Sequence, residues 1–347
     1  MSTVAVVTSS PPLVEGGHLV IARELVRALQ EAGHDAGIVV TPQNRFGRQA
    51  SAYVASWLTD VSETADGRPI DHVISLRYPS YAVRHPSHVC WLNHRMREYY
   101  DLWDRFSGTI SWRNRIKEGV RRQAIHAVDR WLLTRNINRL YAQSRTIQGR
   151  LERWGGLGSE VLYPPAPVRD YRCDDYGDYL FVVSRLAPLK RIDLIMQALA
   201  EPNAWDIKCV IAGEGPELAS LDQLRHKLGL EERVQLVGRL DEAGLLHHLS
   251  HCRAVVFAPY DEDYGFVTVE AFSAGKPVIT CRDSGGPAEI VEDEASGFVT
   301  EPTPAGLAQA MRLLTDERLL AVRLGEAGRA RAGALTWPDT IRHLLVS

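Results

Sequence analysis

Two glutamates, Glu262 and Glu270, stand with seven residues between them in the run from Asp261 to Ile279. Glu262 falls in an acidic loop after an apolar strand expected over 254–258. Glu270 lies about a turn into a short helix closed by Gly275 and Pro277. Two carboxylates thus flank a helix start, whose free N–H groups and partial positive charge suit a phosphate at the amides of Gly265, Phe266 and Val267. Carboxylates repel phosphate but accept from hydroxyls, so a ligand with phosphate in its middle and hydroxylated rings at both ends satisfies every group. A nucleotide-sugar has that shape. Taken alone, the pair reads equally as solvated or helix-capping carboxylates.

Further segments carry compatible chemistry. Phe181 to Arg191 is a strand running into a loop and then a helix; Arg185 and Lys190 project from that loop, where a guanidinium and an ammonium neutralise a diphosphate. Only five of the 40 basic residues are lysines, so a lysine at this offset is less readily a chance surface charge. Val4 to Thr8, followed by Gly16-Gly17 and a helix expected over 20–32, makes the first half of a Rossmann-like unit. No Gly-x-Gly-x-x-Gly is present there, which argues against a dinucleotide. Val89 to Asp101 is an apolar run ending at His94 and entering an aromatic helix; His94 is placed either to donate to a sugar hydroxyl or to serve as a satisfied loop histidine.

Together these segments resemble retaining, family-four glycosyltransferases of the GT-B fold. The match runs through Glu-x7-Glu, the Ala-Gly-Lys-Pro-Val-Ile continuation and Ser-Arg-Leu-x-x-x-Lys at 184–190. The resemblance implies that Glu262 lies beside the donor sugar, Glu270 holds the ribose hydroxyls, and Arg185 and Lys190 hold the diphosphate. It implies further donor contacts from Gly16, Gly17, the backbone of Gly238, Arg239 and Leu240 near the base, and the amides at 265–267. The 94–101 block is similar to the mannosyltransferase-like branch, with a shifted register at Arg97-Glu98-Tyr99, and implies a catalytic position for His94 and acceptor contacts for Arg97 and Asp101. Where relatives often carry a histidine four residues after the second glycine, this chain has Ile21; His18 is out of register and stays outside the expected site. Gly285-Gly286 matches the family's glycine-glycine loop and also reads as a tight turn.

Elements to position these residues are legible. Alternating apolar strands and helices of 12 to 15 residues over 347 residues suggest an α/β chain of two Rossmann-like domains with parallel sheets, and the GT-B resemblance implies that these sheets face across a cleft. The expected division is 1–165 for an acceptor-side domain and 166–334 for a nucleotide-sugar-binding domain. A stiff Tyr163-Pro164-Pro165-Ala166-Pro167 junction joins them, and a helix over 335–347 crosses back to the first. A formal charge of −3 gives no reason to expect nucleic-acid binding. One stretch, 112–139, is locally basic with apolar residues at helical offsets. It reads as a solvated helix face or as contact with an anionic membrane or lipid-linked acceptor. No apolar run of membrane-spanning length and no cleavable leader appear, and five scattered cysteines lack metal spacing. The expected setting is cytoplasmic or peripheral at the inner membrane face.

These expectations amount to retaining transfer of a hexose from a nucleoside diphosphate to a hydroxyl of a glycan, lipid-linked sugar or natural product. The resemblance implies that the diphosphate departs on the face that the acceptor attacks. Alternatives are a GT-B-fold epimerase or phosphorylase and a non-catalytic nucleotide-sugar-binding scaffold. The 94–101 block leans toward a GDP-mannose-like donor, with UDP-, dTDP- and ADP-sugars open. Asp261-Glu262-Asp263 formally reads as a metal motif, but Arg185 and Lys190 already supply positive charge, so no metal or other cofactor is expected. Turnover should therefore survive EDTA; abolition by EDTA with recovery on added magnesium would overturn this.

Overall fold

The computed structural model describes residues 1–11, 17–43 and 47–345. In chain order it contains β1 (Thr3–Ser10), α1 (Gly17–Glu31), β2 (Asp35–Pro42), α2 (Gln49–Leu58), β3 (His72–Ser75), β4 (His88–Leu92), α3 (Trp103–Gly108), α4 (Trp112–Arg135), β5 (Arg139–Ala142), α5 (Arg145–Arg153) and β6 (Glu160–Val161). These are followed by β7 (Tyr179–Val183), α6 (Ile192–Leu199), β8 (Lys208–Ala212), α7 (Leu218–Lys227), β9 (Val234–Gly238), α8 (Glu242–His251) and β10 (Ala254–Val256). The chain closes with α9 (Phe266–Ser273), β11 (Val278–Cys281), α10 (Gly286–Ile290), β12 (Gly297–Thr300), α11 (Pro304–Asp316), α12 (Arg318–Gly333) and α13 (Trp337–Leu345).

The chain divides into two compact units, one of residues 1–167 with 336–347 and the other of residues 168–335. Each holds a six-stranded parallel sheet, ordered β2-β1-β3-β4-β5-β6 in the first and β12-β11-β10-β7-β8-β9 in the second. Strands such as β1 and β11 are buried almost throughout because crossover helices cover both faces, so they read as unbroken apolar runs. The run expected to be a strand over 254–258 is regular only to Val256. Phe257 and Ala258 stay buried, but there the chain leaves the ladder to build a loop.

In the second sheet the chain runs from β7 outward through β8 to β9, then returns to lay β10 against the other side of β7. The crevice beyond the carboxyl ends of β7 and β10 is thus a topological switch point, where open α/β sheets bind ligands.

In the first unit α13 is amphipathic, burying Trp337, Thr340, Ile341 and Leu344. Thr336 starts it by exchanging hydrogen bonds with Asp339, and Pro338 fits its first turn. Trp337 packs edge-on to Trp91 at 6.3 Å, and the Tyr141 hydroxyl donates to the His343 carbonyl.

His88, at the start of β4, is fully buried with Nε2 on the Ser75 hydroxyl at 2.8 Å. Burial pulls it from the ordinary histidine value near 6.5 down to about 3. Between those values the unfolded chain binds the extra proton, so the folded state loses on the order of 1 kcal/mol per pH unit as pH falls below about 6.5. Urea midpoints at neutral and mildly acidic pH should drop more steeply for the native protein than for His88→Asn; equal slopes would remove His88 as the cause.

Candidate functional site at the switch point of the second sheet

The loop after β7 is laid down by backbone contacts. Ser184 N–H donates to the Ala212 carbonyl and Leu186 N–H to that of Glu214. A Cβ on Gly213 or Gly215 would collide with the carbonyls of Ser184 and Leu186, so these glycines let the next turn lie flat on the loop. Arg185, between the two docked residues, is exposed, and among the described residues no ion pair or hydrogen bond engages its guanidinium. Its charge is available at the carboxyl edge.

A short helical turn over Pro188–Lys190 then presents Lys190, whose Nζ lies 2.6 Å from Glu262 Oε2. The next residue, Arg191, adopts a left-handed backbone (φ 50). Its guanidinium donates to both carboxylate oxygens of Asp283 at 2.7 Å and to the carbonyls of Ala258 and Pro259. Backbone bonds tie the same loops: Tyr260 N–H to Leu189, Asp261 N–H to Asp283, and Glu262 N–H to Ser284. The loops after β7, β10 and β11 are therefore one hydrogen-bonded layer, with Lys190 and Glu262 on it.

Gly285 and Gly286 belong to that layer. A Cβ on Gly285 would strike the Glu262 carbonyl, and one on Gly286 the Tyr264 backbone, so this loop's glycines serve close packing. Gly265, at φ 82, is the N-cap of α9. The amides of Gly265, Phe266 and Val267 meet no acceptor among the described residues, leaving a helix start with free donors.

Glu270, further along α9, is buried, and its Oε1 accepts from Arg169 and from the Tyr171 hydroxyl. Burial pushes its carboxyl above the usual range while Arg169 pulls it back. Arg169 also reaches Glu242 at the start of α8, at 3.6 Å. Gly238, at the end of β9, has φ 70, and its carbonyl accepts from Gly213 N–H at 2.7 Å; Arg239, next to it, is exposed and Leu240 half-buried.

The structure thus brings Arg185, Lys190, Glu262, the 265–267 amides and Glu270 onto loops and helices at one sheet edge. In the first unit, His94, Arg97 and Asp101 line one small cavity of about 20 Å³ together with Arg150. His94 Nδ1 contacts the Arg95 carbonyl at 2.6 Å. Asp101 is held by Arg97 at 2.6 Å and Arg150 at 3.5 Å, so this carboxylate, expected as an acceptor contact, already has two cationic partners. Gly17 opens α1, with open space where a Cβ would sit; Gly16 lies outside the described residues.

Sequence reasoning missed four residues. Arg191 ends the quoted 181–191 segment and Asp283 stands two residues before Gly285, but nothing in their spacing says that they pair. Arg169 and Tyr171 follow the proline-rich junction about a hundred positions before Glu270, and no local signal marks them.

Residues 170–331 match the family model "Glycosyl transferases group 1". That match covers just under half of the chain and marks the likeness of the second unit to this family. Among curated proteins similar to this chain, the N-acetyl-alpha-D-glucosaminyl L-malate synthase of Bacillus anthracis is 30% identical over 44% of this chain and 40% of its own length. The alpha-1,3/1,6-mannosyltransferase ALG2 of Homo sapiens is 27% identical over 54% of this chain and 51% of its own. The chain spans about half the length of the curated relatives it matches. Among solved structures, WaaG, a glycosyltransferase involved in lipopolysaccharide biosynthesis, superposes with a TM-score of 0.72 at 15% identity, covering 98% of both chains. Anabaena HepE, in complex with UDP and glucose, does so at 0.70 and 17%, again covering 98% of both. The two Rossmann-like units are those of the GT-B fold.

The Arg169–Glu270 pair yields a test with a defined sign. A carboxyl whose folded value is raised supports folding below its unfolded value, near 4.3, and loses that support as pH rises through the folded value. Arg169→Met removes the cation that pulls Glu270 down, so its cost, about 3 kcal/mol above neutrality, should shrink as pH is lowered toward 5. A pH-independent cost in denaturant melts would contradict the pairing.

Proposed function

We propose that this protein is a retaining glycosyltransferase that moves a hexose from a nucleoside-diphosphate sugar to a hydroxyl of a glycan, lipid-linked sugar or natural product. One observation carries the reading. At the switch point between β7 and β10, an exposed Arg185, a Lys190–Glu262 ion pair and the free amides of α9 meet on a layer locked by Arg191. That is an anion site beside a hydroxyl acceptor, the pair of needs a sugar diphosphate presents.

In this reading donor entry exchanges partners. The diphosphate draws Lys190 from Glu262, and the released carboxylate accepts from the sugar hydroxyls. Glu270 takes the ribose hydroxyls on the oxygen that Arg169 and Tyr171 leave open, and the Gly238–Leu240 backbone meets the base. The C1–oxygen bond to the diphosphate breaks as the acceptor oxygen attacks the same face, and a diphosphate oxygen takes the acceptor proton. Arg185, Lys190 and the amides at 265–267 stabilise the departing charge, which no metal need supply. His94 serves in this reading as a hydrogen-bond donor to a sugar hydroxyl at the reacting centre, and Arg97 and Asp101 as acceptor contacts. WaaG and ALG2, as relatives in fold or family, support transfer over the epimerase, phosphorylase and scaffold readings.

Lys190→Ala should lower turnover by about 10²-fold, the scale of losing one oxyanion donor, with little change in melting temperature. Near-normal turnover would move the donor elsewhere. A thermal-shift screen of UDP, GDP, dTDP and ADP identifies the base, because a ligand at a hundred times its Kd adds about 2.7 kcal/mol of stability.

A further inference from the structure

Two neighbouring helices of the first unit, α2 and α4, leave apolar side chains in water. Trp112, Ile116, Val120 and Trp131 on α4, and Val54 and Leu58 on α2, are each 49–70% exposed. On α4 the spacing puts them in one stripe along a helix of 24 residues, about 36 Å long. The stripe is continuous with α2: Trp57 and Trp131 pack with ring centroids 5.3 Å apart, and Val54 and Val128 line one groove of about 590 Å³. Globular surfaces seldom leave so long an apolar row uncovered.

The exposed charges carried by the two helices have one sign, and the nearby acid Asp60 follows α2 and lies near Arg84. Both acids of α4 point inward and are engaged, Glu118 by Arg121 and the Tyr99 hydroxyl and Asp129 by the hydroxyls of Tyr53, Tyr81 and Tyr100. α2 has no acidic residue. Arg113, Arg115, Lys117 and Arg130 stand exposed around the stripe. At its far end Arg84 stacks on Trp57 at 4.8 Å and lines a polar pocket with His85 and Arg135.

From this we infer that the α2–α4 face docks on an anionic lipid bilayer, with the stripe and its tryptophans entering the interface and the arginines on the lipid phosphates. A second copy is a poor occupant, because a self-complementary contact would set one cationic face against another. A bilayer answers both features, an apolar layer beneath a negative surface. No helix among the described residues is long and apolar enough to cross a membrane, so the contact is peripheral.

Sedimentation of the purified full-length chain with vesicles tests this without donor or acceptor, so failure here leaves the transferase reading untouched. The protein should sediment with phosphatidylglycerol-containing vesicles, remain in solution with pure phosphatidylcholine, and be released by high salt. Combining Trp112→Ser, Ile116→Ser and Val120→Ser should cut the bound fraction about tenfold at an unchanged melting temperature, since all three side chains are exposed. Reversing charge with Arg113→Glu and Lys117→Glu should abolish the preference for the anionic lipid. Failure of the native protein to bind anionic vesicles would overturn the inference. So would full binding by the triple-serine variant, or a native dimer in sedimentation velocity that this variant dissociates.

Discussion

One guanidinium holds the edge of the second sheet together. Arg191 spans the loops after β7, β10 and β11 with donors to Asp283, Ala258 and Pro259, and the backbone bonds at Tyr260, Asp261 and Glu262 run in the same layer. A left-handed backbone at a non-glycine residue costs on the order of 1 kcal/mol, and a bidentate ion pair with two further hydrogen bonds offsets it. Because the loops are fixed to one another, Lys190 and Glu262 meet at 2.6 Å instead of sampling solvent separately. Pre-organisation of this kind is what a site needs if it is to stabilise charge without first reorganising.

Glycines give that layer its thinness. Gly213 and Gly215 let one turn lie on the Ser184–Leu186 loop, and Gly285 and Gly286 let another lie on Glu262 and Tyr264; each lacks a Cβ because backbone occupies the place. The same economy leaves Arg185 standing clear of the surface and the first amides of α9 uncovered. Beneath, Glu270 shows the opposite strategy, a carboxylate taken out of water and kept by a cation and a phenol from a distant stretch. In the first unit Asp129 repeats it with three tyrosine hydroxyls, which pull α4 inward by its acidic side and leave its basic, apolar side facing out.

Much of this was legible before any coordinates. Unbroken apolar strands alternating with helices led to two parallel Rossmann-like units, and the Glu262/Glu270 and Arg185/Lys190 spacings pointed to the loops that now share one sheet edge. The 112–139 stretch already showed basic and apolar residues at helical offsets, but not which way each row faced. Strand length after β10 was overestimated because burial continues through Phe257 and Ala258 after the ladder ends.

Where strands and helices alternate, which loops carry charge and glycine, and which helix start is open follow from neighbours a few positions apart, so all of these are readable in the sequence, though the exact end of β10 is not. Only the tertiary structure decided the partners: Lys190 with Glu262, Arg191 with Asp283, Arg169 and Tyr171 with Glu270, Arg97 and Arg150 with Asp101. Pairing over tens of residues depends on strand order and crossover connections, and charge type and local spacing carry no record of those.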